Sequence, residues 1–259
     1  MDKIPKSVWV LAGLIAVIYV AWTTIYPSGT LRYKMTVVVE TPEGIKTGSA
    51  VREVYIGRSP QLFGSTSSGK ALLTKGEAVV VDLGQRGVLF ALMRGASGSD
   101  YGHQIVFDAF PSPGSTEPLS SAGIRYYRSL KNAKVTLKPE QYPMFVRFRE
   151  MKDPKTVESV YQAVPYDGRN DKGFYIGTAY HITDHFEETF GAGVKLKEVT
   201  IEVTDDSVMI GLVKLLPWLP EYYDKGLDGD LFGNFKAKNL LANFLSSGAF
   251  STELSPHGR

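Results

Sequence analysis

Residues 8–25, VWVLAGLIAVIYVAWTTI, are 18 consecutive positions without a charged side chain. As a helix this run is roughly 27 Å long, enough to cross the hydrocarbon core of a bilayer. Trp9, Tyr19, Trp22 and Tyr26 lie toward its ends, where amphipathic rings favour the membrane interface. Lys3 and Lys6 precede it, and Pro27-Ser28-Gly29 stops it. A cleaved signal peptide is the competing explanation. Its apolar core is usually about 7–15 residues, followed by a small-x-small cleavage site. This run is longer, and at Tyr19-Val20-Ala21 a bulky residue stands where a small one is needed. The pattern therefore favours an uncleaved anchor. The positive tail puts the N-terminus in the cytoplasm and the remainder outside, although Arg32 and Lys34 follow soon and keep the charge bias small. The expected organisation is a cytoplasmic tail (1–7), a transmembrane anchor (8–26) in contact with the lipid bilayer, and an extracytoplasmic domain (30–259). The expected address is the inner cell membrane, single-pass, with the C-terminal domain periplasmic.

Beyond the anchor the chain reads as short strands. In residues 31–40, LRYKMTVVVE, Leu31, Tyr33, Met35, Val37 and Val39 fall on one face and Arg32, Lys34, Thr36 and Glu40 on the other. That is the period of a half-buried strand. Thr41-Pro42-Glu43-Gly44 is a turn, and 45–56 returns to make a hairpin. Further strands are expected at 77–82, 87–94, 103–109, 133–138, 143–149 and 194–204. The last changes phase between Leu196 and Val199, which predicts a β-bulge near Lys197-Glu198. Helices are expected at 119–131, at 184–190 capped by Asp184, along Met209, Leu212, Val213 and Leu216 with Asp205 or Asp206 as cap, and along Ala237, Leu240, Leu241, Phe244 and Leu245. The most irregular stretches are 111–118 and 165–173. The fold class is mainly β, a β-rich α+β domain. It is an antiparallel sandwich or barrel-like body with peripheral helices, preceded by one transmembrane helix.

Composition removes several functions. Twenty-nine basic and 27 acidic residues nearly cancel, without blocks of like charge, so nucleic acid is not an expected partner. The chain has no cysteine, which excludes disulfides, thiol nucleophiles and cysteine-ligated zinc. Residues 63–84, FGSTSSGKALLTKGEAVVVDLG, imitate a phosphate loop followed by a magnesium-binding strand. But Ala71 stands where the loop needs a serine or threonine hydroxyl, and Gly76 leaves no room for the helix that must face the phosphates. The expected structure is a connector over 64–70, then a strand burying Val79 and Val81 with Asp82 at its end, with no nucleotide partner and no cofactor. His181 and His185 are four apart, beside Asp184, Glu187 and Glu188. They are the candidate metal ligands, and surface or capping histidines are the alternative. Residues 228–239 resemble a calcium loop, but Phe232 and Asn239 occupy two ligand positions, so a glycine-rich turn is the better account.

Four segments, YKMTVVVETPEGIKTGSAVREV (33–54), GEAVVVDLGQRGVLFALM (76–93), YPMFVRFREMKDPKTVESV (142–160) and FGAGVKLKEVTIEVTDDSVMIGLVKLLPWL (190–219), resemble an uncharacterised family of N-terminally membrane-anchored bacterial proteins of alphaproteobacterial type. The resemblance implies no activity, so it assigns no catalytic residue. The 161–189 segment, with both histidines, departs from the pattern, as does Met209-Ile210 where threonines are expected. The expected function is a membrane-anchored periplasmic interaction or binding module with a protein partner at the membrane. The alternative is a membrane-tethered hydrolase, metal-assisted through His181 and His185. If 63–84 is no phosphate loop, ATP with magnesium will leave the melting temperature unchanged in differential scanning fluorimetry, and Lys70→Ala will change stability by less than about 0.5 kcal/mol.

Overall fold

Alternation in the first strand is what builds the core. The computed structural model describes residues 5–60, 69–169 and 171–254. Helix α1 (Lys6–Ile25) is followed, after Tyr26 and Pro27, by β1 (Ser28–Thr41), whose Tyr33, Met35, Val37 and Val39 are fully buried. β1 pairs on one side with β2 (Gly44–Arg58), in register from Ser28–Gly57 to Thr41–Gly44. On the other side it pairs with β10 (Lys195–Val203), where Val38 faces Glu198 and Val39 faces Leu196. Lys197 is the extra residue of the expected bulge, and it restores the phase that buries Val199, Ile201 and Val203. With β3 (Gly69–Lys75) and β6 (Lys134–Thr136) these strands form a five-stranded antiparallel sheet in the order β3-β2-β1-β10-β6.

The second sheet comprises β4 (Val79–Asp82), β5 (Val88–Gly95), β7 (Pro143–Phe148), β8 (Val157–Arg169) and β9 (Tyr175–Asp184), in the order β4-β5-β7-β8-β9. All its pairings are antiparallel. The two sheets face one another as a sandwich, with no closed barrel. Between them lie Val79, Val81, Leu89, Ala91, Phe145 and Val160 of the second sheet, opposite the β1, β2 and β10 side chains. The outer face of the second sheet is also covered. Phe90, Leu92, Val146 and Phe148 pack against Leu212, Leu216, Leu219, Leu245 and Phe250 of the C-terminal segment. Burial on both faces is why β5 and β7 are continuous apolar runs rather than alternating ones.

Several expectations need correction. Residues 103–109 form a helix, α2 (Gln104–Ala109), rather than a strand. Its β-branched residues Ile105 and Val106 are buried, and a Gln104–Asp108 side-chain hydrogen bond of 2.8 Å spans one turn. Here packing overrides β propensity. Residues 165–173 are not irregular throughout: 165–169 continue β8, which pairs with β9 in a long hairpin within the 161–189 segment. Beyond Tyr161, β8 has left β7, so Pro165 sits where the strand has a ladder on one side only. Of 64–70, residues 64–68 lie outside the described residues, while Gly69 and Lys70 open β3, with Lys70 exposed. The two C-terminal stripes form only single turns, α5 (Leu212–Leu215) and α6 (Leu240–Asn243). Gly211, Pro217 and Pro220 interrupt the first, and α6 starts only at its cap, Asn239, whose side chain accepts the Ala242 N–H. The expected helices at 119–131 and 184–190 are α3 (Ser121–Ser129), capped by Ser120, and α4 (Phe186–Phe190), whose cap position is held by His185 rather than the expected Asp184.

Arg52 lies in β2 with no exposed surface. Its Nε donates to the Glu77 carbonyl at 3.1 Å, and Nη2 donates to the carbonyls of Ala91 and Leu92, each at 3.3 Å. These acceptors belong to β5 and to the residues leading into β4, so one guanidinium joins the two sheets. The β5–β7 register shifts between Ala91 and Gly95, so the fork meets β5 where that ladder is interrupted. Arg52→Ala is expected to cost about 3–5 kcal/mol in urea unfolding, from the cavity and the carbonyls left unpaired. Arg52→Lys will recover less than half, because a single ammonium does not reproduce the planar fork.

Candidate functional site

The edge strand β4 runs close to β2 at one corner of the sandwich. A Cβ on Gly48 would stand 2.0 Å from the Val80 carbonyl oxygen, so only glycine permits this approach. Beside this corner is a groove of about 620 Å³. Its floor is apolar, from Ala50, Val51, Ala78 and Val80, and its far wall is the segment 206–215. Size and lining fit a ligand or partner-binding cleft with few polar groups.

Two contacts hold the far wall. At one end Lys34 Nζ meets Asp206 Oδ2 at 3.0 Å, and the ammonium holds the Asp206 carboxyl below its usual range. At the other end the nearly buried Glu77 carboxylate accepts the backbone N–H groups of Gly211 at 2.7 Å and Leu212 at 2.9 Å, with Ser251 Oγ at 3.3 Å from its other oxygen. A carboxylate taking two backbone N–H groups is a strong, charge-assisted anchor. Between these ends Met209 is 82% exposed at the rim. Asp205 and Asp206 therefore do not cap a helix: α5 begins after Gly211, and Asp206 pairs with Lys34 instead. The backbone carbonyl of Glu77 is the acceptor for Arg52, so the groove wall and the core cation share one residue.

A second cleft of about 570 Å³ lies under the β8–β9 hairpin, against α2 and residues 138–142. Its polar groups largely serve one another. Tyr101 Oη donates to the Gln141 carbonyl at 2.7 Å, and Gln141 Nε2 donates to the Asp108 carbonyl at 3.0 Å. Burial raises the Tyr101 phenol well above its ordinary pKa, so it stays a neutral donor. Tyr180 and Ile182 face this cleft, whereas His181, between them on β9, projects from the other face toward the Tyr166 ring, 5.9 Å away.

The candidate metal ligands are thus placed on different elements. His181 is exposed on β9, opposite Val164. His185 occupies the cap position of α4, with Nδ1 2.8 Å from Glu188 Oε2. Asp184 accepts the Phe186 N–H at 3.0 Å, and Glu187 the Gly193 N–H at 3.1 Å. Among the described residues, no three histidine or carboxylate side chains form a group that could hold a metal ion. At the calcium-like loop, both Asp228 oxygens accept from the buried Asn243 amide, which staples a turn. Asp82, the apparent magnesium ligand, accepts the Gly84 N–H at 2.8 Å and closes the β4–β5 turn.

Sequence reading missed Lys34, Glu77 and Asp206 as a group. The one available signal was Glu77 itself, a carboxylate opening an otherwise apolar strand directly after Gly76. Glu77→Ala should free the groove wall at its Gly211 end. Cleavage after Asp205 or Asp206 by a glutamyl endopeptidase should then speed up at least about tenfold, the equivalent of one lost charge-assisted anchor of roughly 1.4 kcal/mol. Compared with known proteins, the chain matches no family model, no curated protein and no solved structure.

Proposed function

We propose that this chain is a single-pass inner-membrane protein of a bacterium, with its N-terminal tail in the cytoplasm and its β-sandwich in the periplasm. The sandwich acts as a binding module for a protein partner at the membrane, through the groove between β2, β4 and residues 206–215. The observation that carries this reading is the state of α1. None of residues 7–25 is buried, so this apolar helix finds no shelter among the described residues. Left in water it would be a large exposed apolar surface, and a bilayer removes it. Two residues then connect the helix to β1, so the binding domain stands directly on the membrane.

The groove supports the binding half of the reading. Its floor is apolar, and its rim carries the exposed Met209 and Leu215 beside the Lys34–Asp206 pair. Flexible thioether and aliphatic side chains adapt to a partner's apolar groups, while the ion pair supplies orientation. Such a partner is held at a set height. Lys34 is six residues into β1, roughly 20 Å along the strand from its start.

Affinity capture of the intact membrane protein, with and without Ser49→Trp, tests this. Ser49 is exposed on the groove wall, so the bulky substitution fills the groove without entering the core. A partner retained by the wild type and lost at least tenfold in Ser49→Trp, at unchanged melting temperature, is expected. Equal capture would show that the groove is not the binding surface. Protease added to spheroplasts should remove the β domain, and its protection would reverse the proposed orientation.

A further inference from the structure

Helix α3 meets α1 where α1 ends. Ser121 Oγ donates to the Ile25 carbonyl at 2.8 Å, and Arg125 Nη1 donates to the Thr24 carbonyl at 3.2 Å. These are among the last carbonyls of α1, which have no donor within their own helix. The guanidinium also lies at the negative end of the helix dipole. Close by, the Arg58 N–H donates to the Pro27 carbonyl at 3.0 Å. The Arg128 side chain lies across Gly29, where a Cβ would stand 2.9 Å from its Nε. Lys131 follows α3 and is exposed. The Arg125 and Arg128 side chains therefore lie at the point where the chain leaves the apolar helix, with the Arg58 backbone beside them and Lys131 three residues beyond Arg128.

None of the four forms an ion pair with a described carboxylate. Over 117–134 the sole acidic residue is Glu117, against Arg125, Arg128, Lys131 and Lys134. The chain as a whole has 29 basic and 27 acidic residues, so this excess is local. Its depth follows from α1. If α1 spans the bilayer, its terminal carbonyls stand where hydrocarbon gives way to headgroups. The Trp22–Tyr26 ring pair, 5.0 Å between centroids, marks the same level. Groups bonded to those carbonyls stand among lipid phosphates, and a guanidinium binds phosphate oxygens in a fork.

We propose that Arg58, Arg125, Arg128 and Lys131 form a binding site for anionic phospholipid headgroups. Occupancy lays α3 on the membrane surface and fixes the tilt of the sandwich, and so the direction in which its groove opens. The proposal rests on reading α1 as a membrane span. It does not depend on which leaflet the domain faces.

The test uses the full chain. Because the protein has no cysteine, Ser129→Cys on the exposed face of α3 supplies a single thiol for an environment-sensitive fluorophore. The labelled protein is reconstituted in vesicles of phosphatidylcholine alone or with added phosphatidylglycerol. Flotation with phosphatidylcholine vesicles after an alkaline wash reports the span independently of the lipid site. Phosphatidylglycerol is expected to move the probe to a less polar environment, and salt to reverse this. Each basic residue near an anionic surface shifts such an equilibrium about fivefold. Arg125→Gln with Arg128→Gln should therefore lower the ratio of docked to undocked α3 roughly 25-fold, with glutamine still able to donate to the Thr24 carbonyl. Flotation without any response to phosphatidylglycerol would overturn the headgroup site alone. Failure to float would overturn the span, and the site with it. A phosphatidylglycerol response that the double variant leaves intact would also overturn the assignment to these residues.

Discussion

A guanidinium without a carboxylate sits at the centre of this sandwich. Burying a cation is costly unless its donors are met, and Arg52 meets carbonyl dipoles rather than a counter-charge. Its Nη1 has no partner among the described residues. The arrangement makes sense as a positional device. The carbonyls come from β5 and from Glu77, so the fork is satisfied only when the two sheets hold one offset. Tyr33 feels the same site. Burial raises its phenol pKa, the neighbouring guanidinium opposes the rise, and the hydroxyl donates to the Gly102 carbonyl at 2.8 Å. Glu77 then extends the link outward. Its backbone belongs to the Arg52 site, while its carboxylate holds Gly211 and Leu212 and reaches Ser251. The C-terminal cover is thereby tied to the same offset as the sheets.

Legibility in the sequence followed the number of faces an element buries. β1 buries one face, so its alternation was plain, and the phase slip in β10 gave the Lys197 bulge. β4 was readable for the same reason, with Val79 and Val81 buried and Asp82 turned outward at the turn. β5 and β7 were visible as apolar runs, but nothing in Phe90 or Val146 announced that a C-terminal segment would cover their outer sides. That cover was read as two helices. A stripe such as Leu212–Leu216 records which side chains are buried, and glycine and proline at 211, 217 and 220 decided that one turn would suffice. Residues 104–109 failed in the opposite sense. Ile105, Val106 and Phe107 favour strands locally, and only their packing beneath the sheets makes them a helix.

The candidate site was less legible, because its members are distant in sequence. Lys34 and Asp206 are 172 residues apart, and Glu77 and Leu212 are 135 apart. No spacing rule links such positions, whereas the decoys were all local motifs. The residues of those decoys do local work. Asp82 closes a turn, Asp228 accepts from Asn243, and His185 faces Glu188. Short polar side chains next to glycine recur in real ligand loops and in ordinary turns, because each needs the same backbone hydrogen bonds.

The absence of a linker between α1 and β1 constrains what the domain can reach. A flexible tether lets a binding module search a volume, whereas two residues followed by a paired strand do not. β1 has 14 residues, so the far end of the strand stands at most roughly 46 Å from the end that follows α1. The groove begins less than halfway along that length. At the far end, the bidentate Arg86–Glu43 pair, with Arg86 also donating to the Phe190 carbonyl, clasps the β1–β2 turn to the β4–β5 turn and α4. The sandwich is thus fixed at its far end by that clasp, at its middle by Arg52, and at its base by the contacts of α3 with α1. A body held at three levels transmits a tilt at its base to the groove without bending. On the proposed reading of α1 as a membrane span and the groove as a binding surface, that rigidity would keep the groove at one height for a partner in the same bilayer.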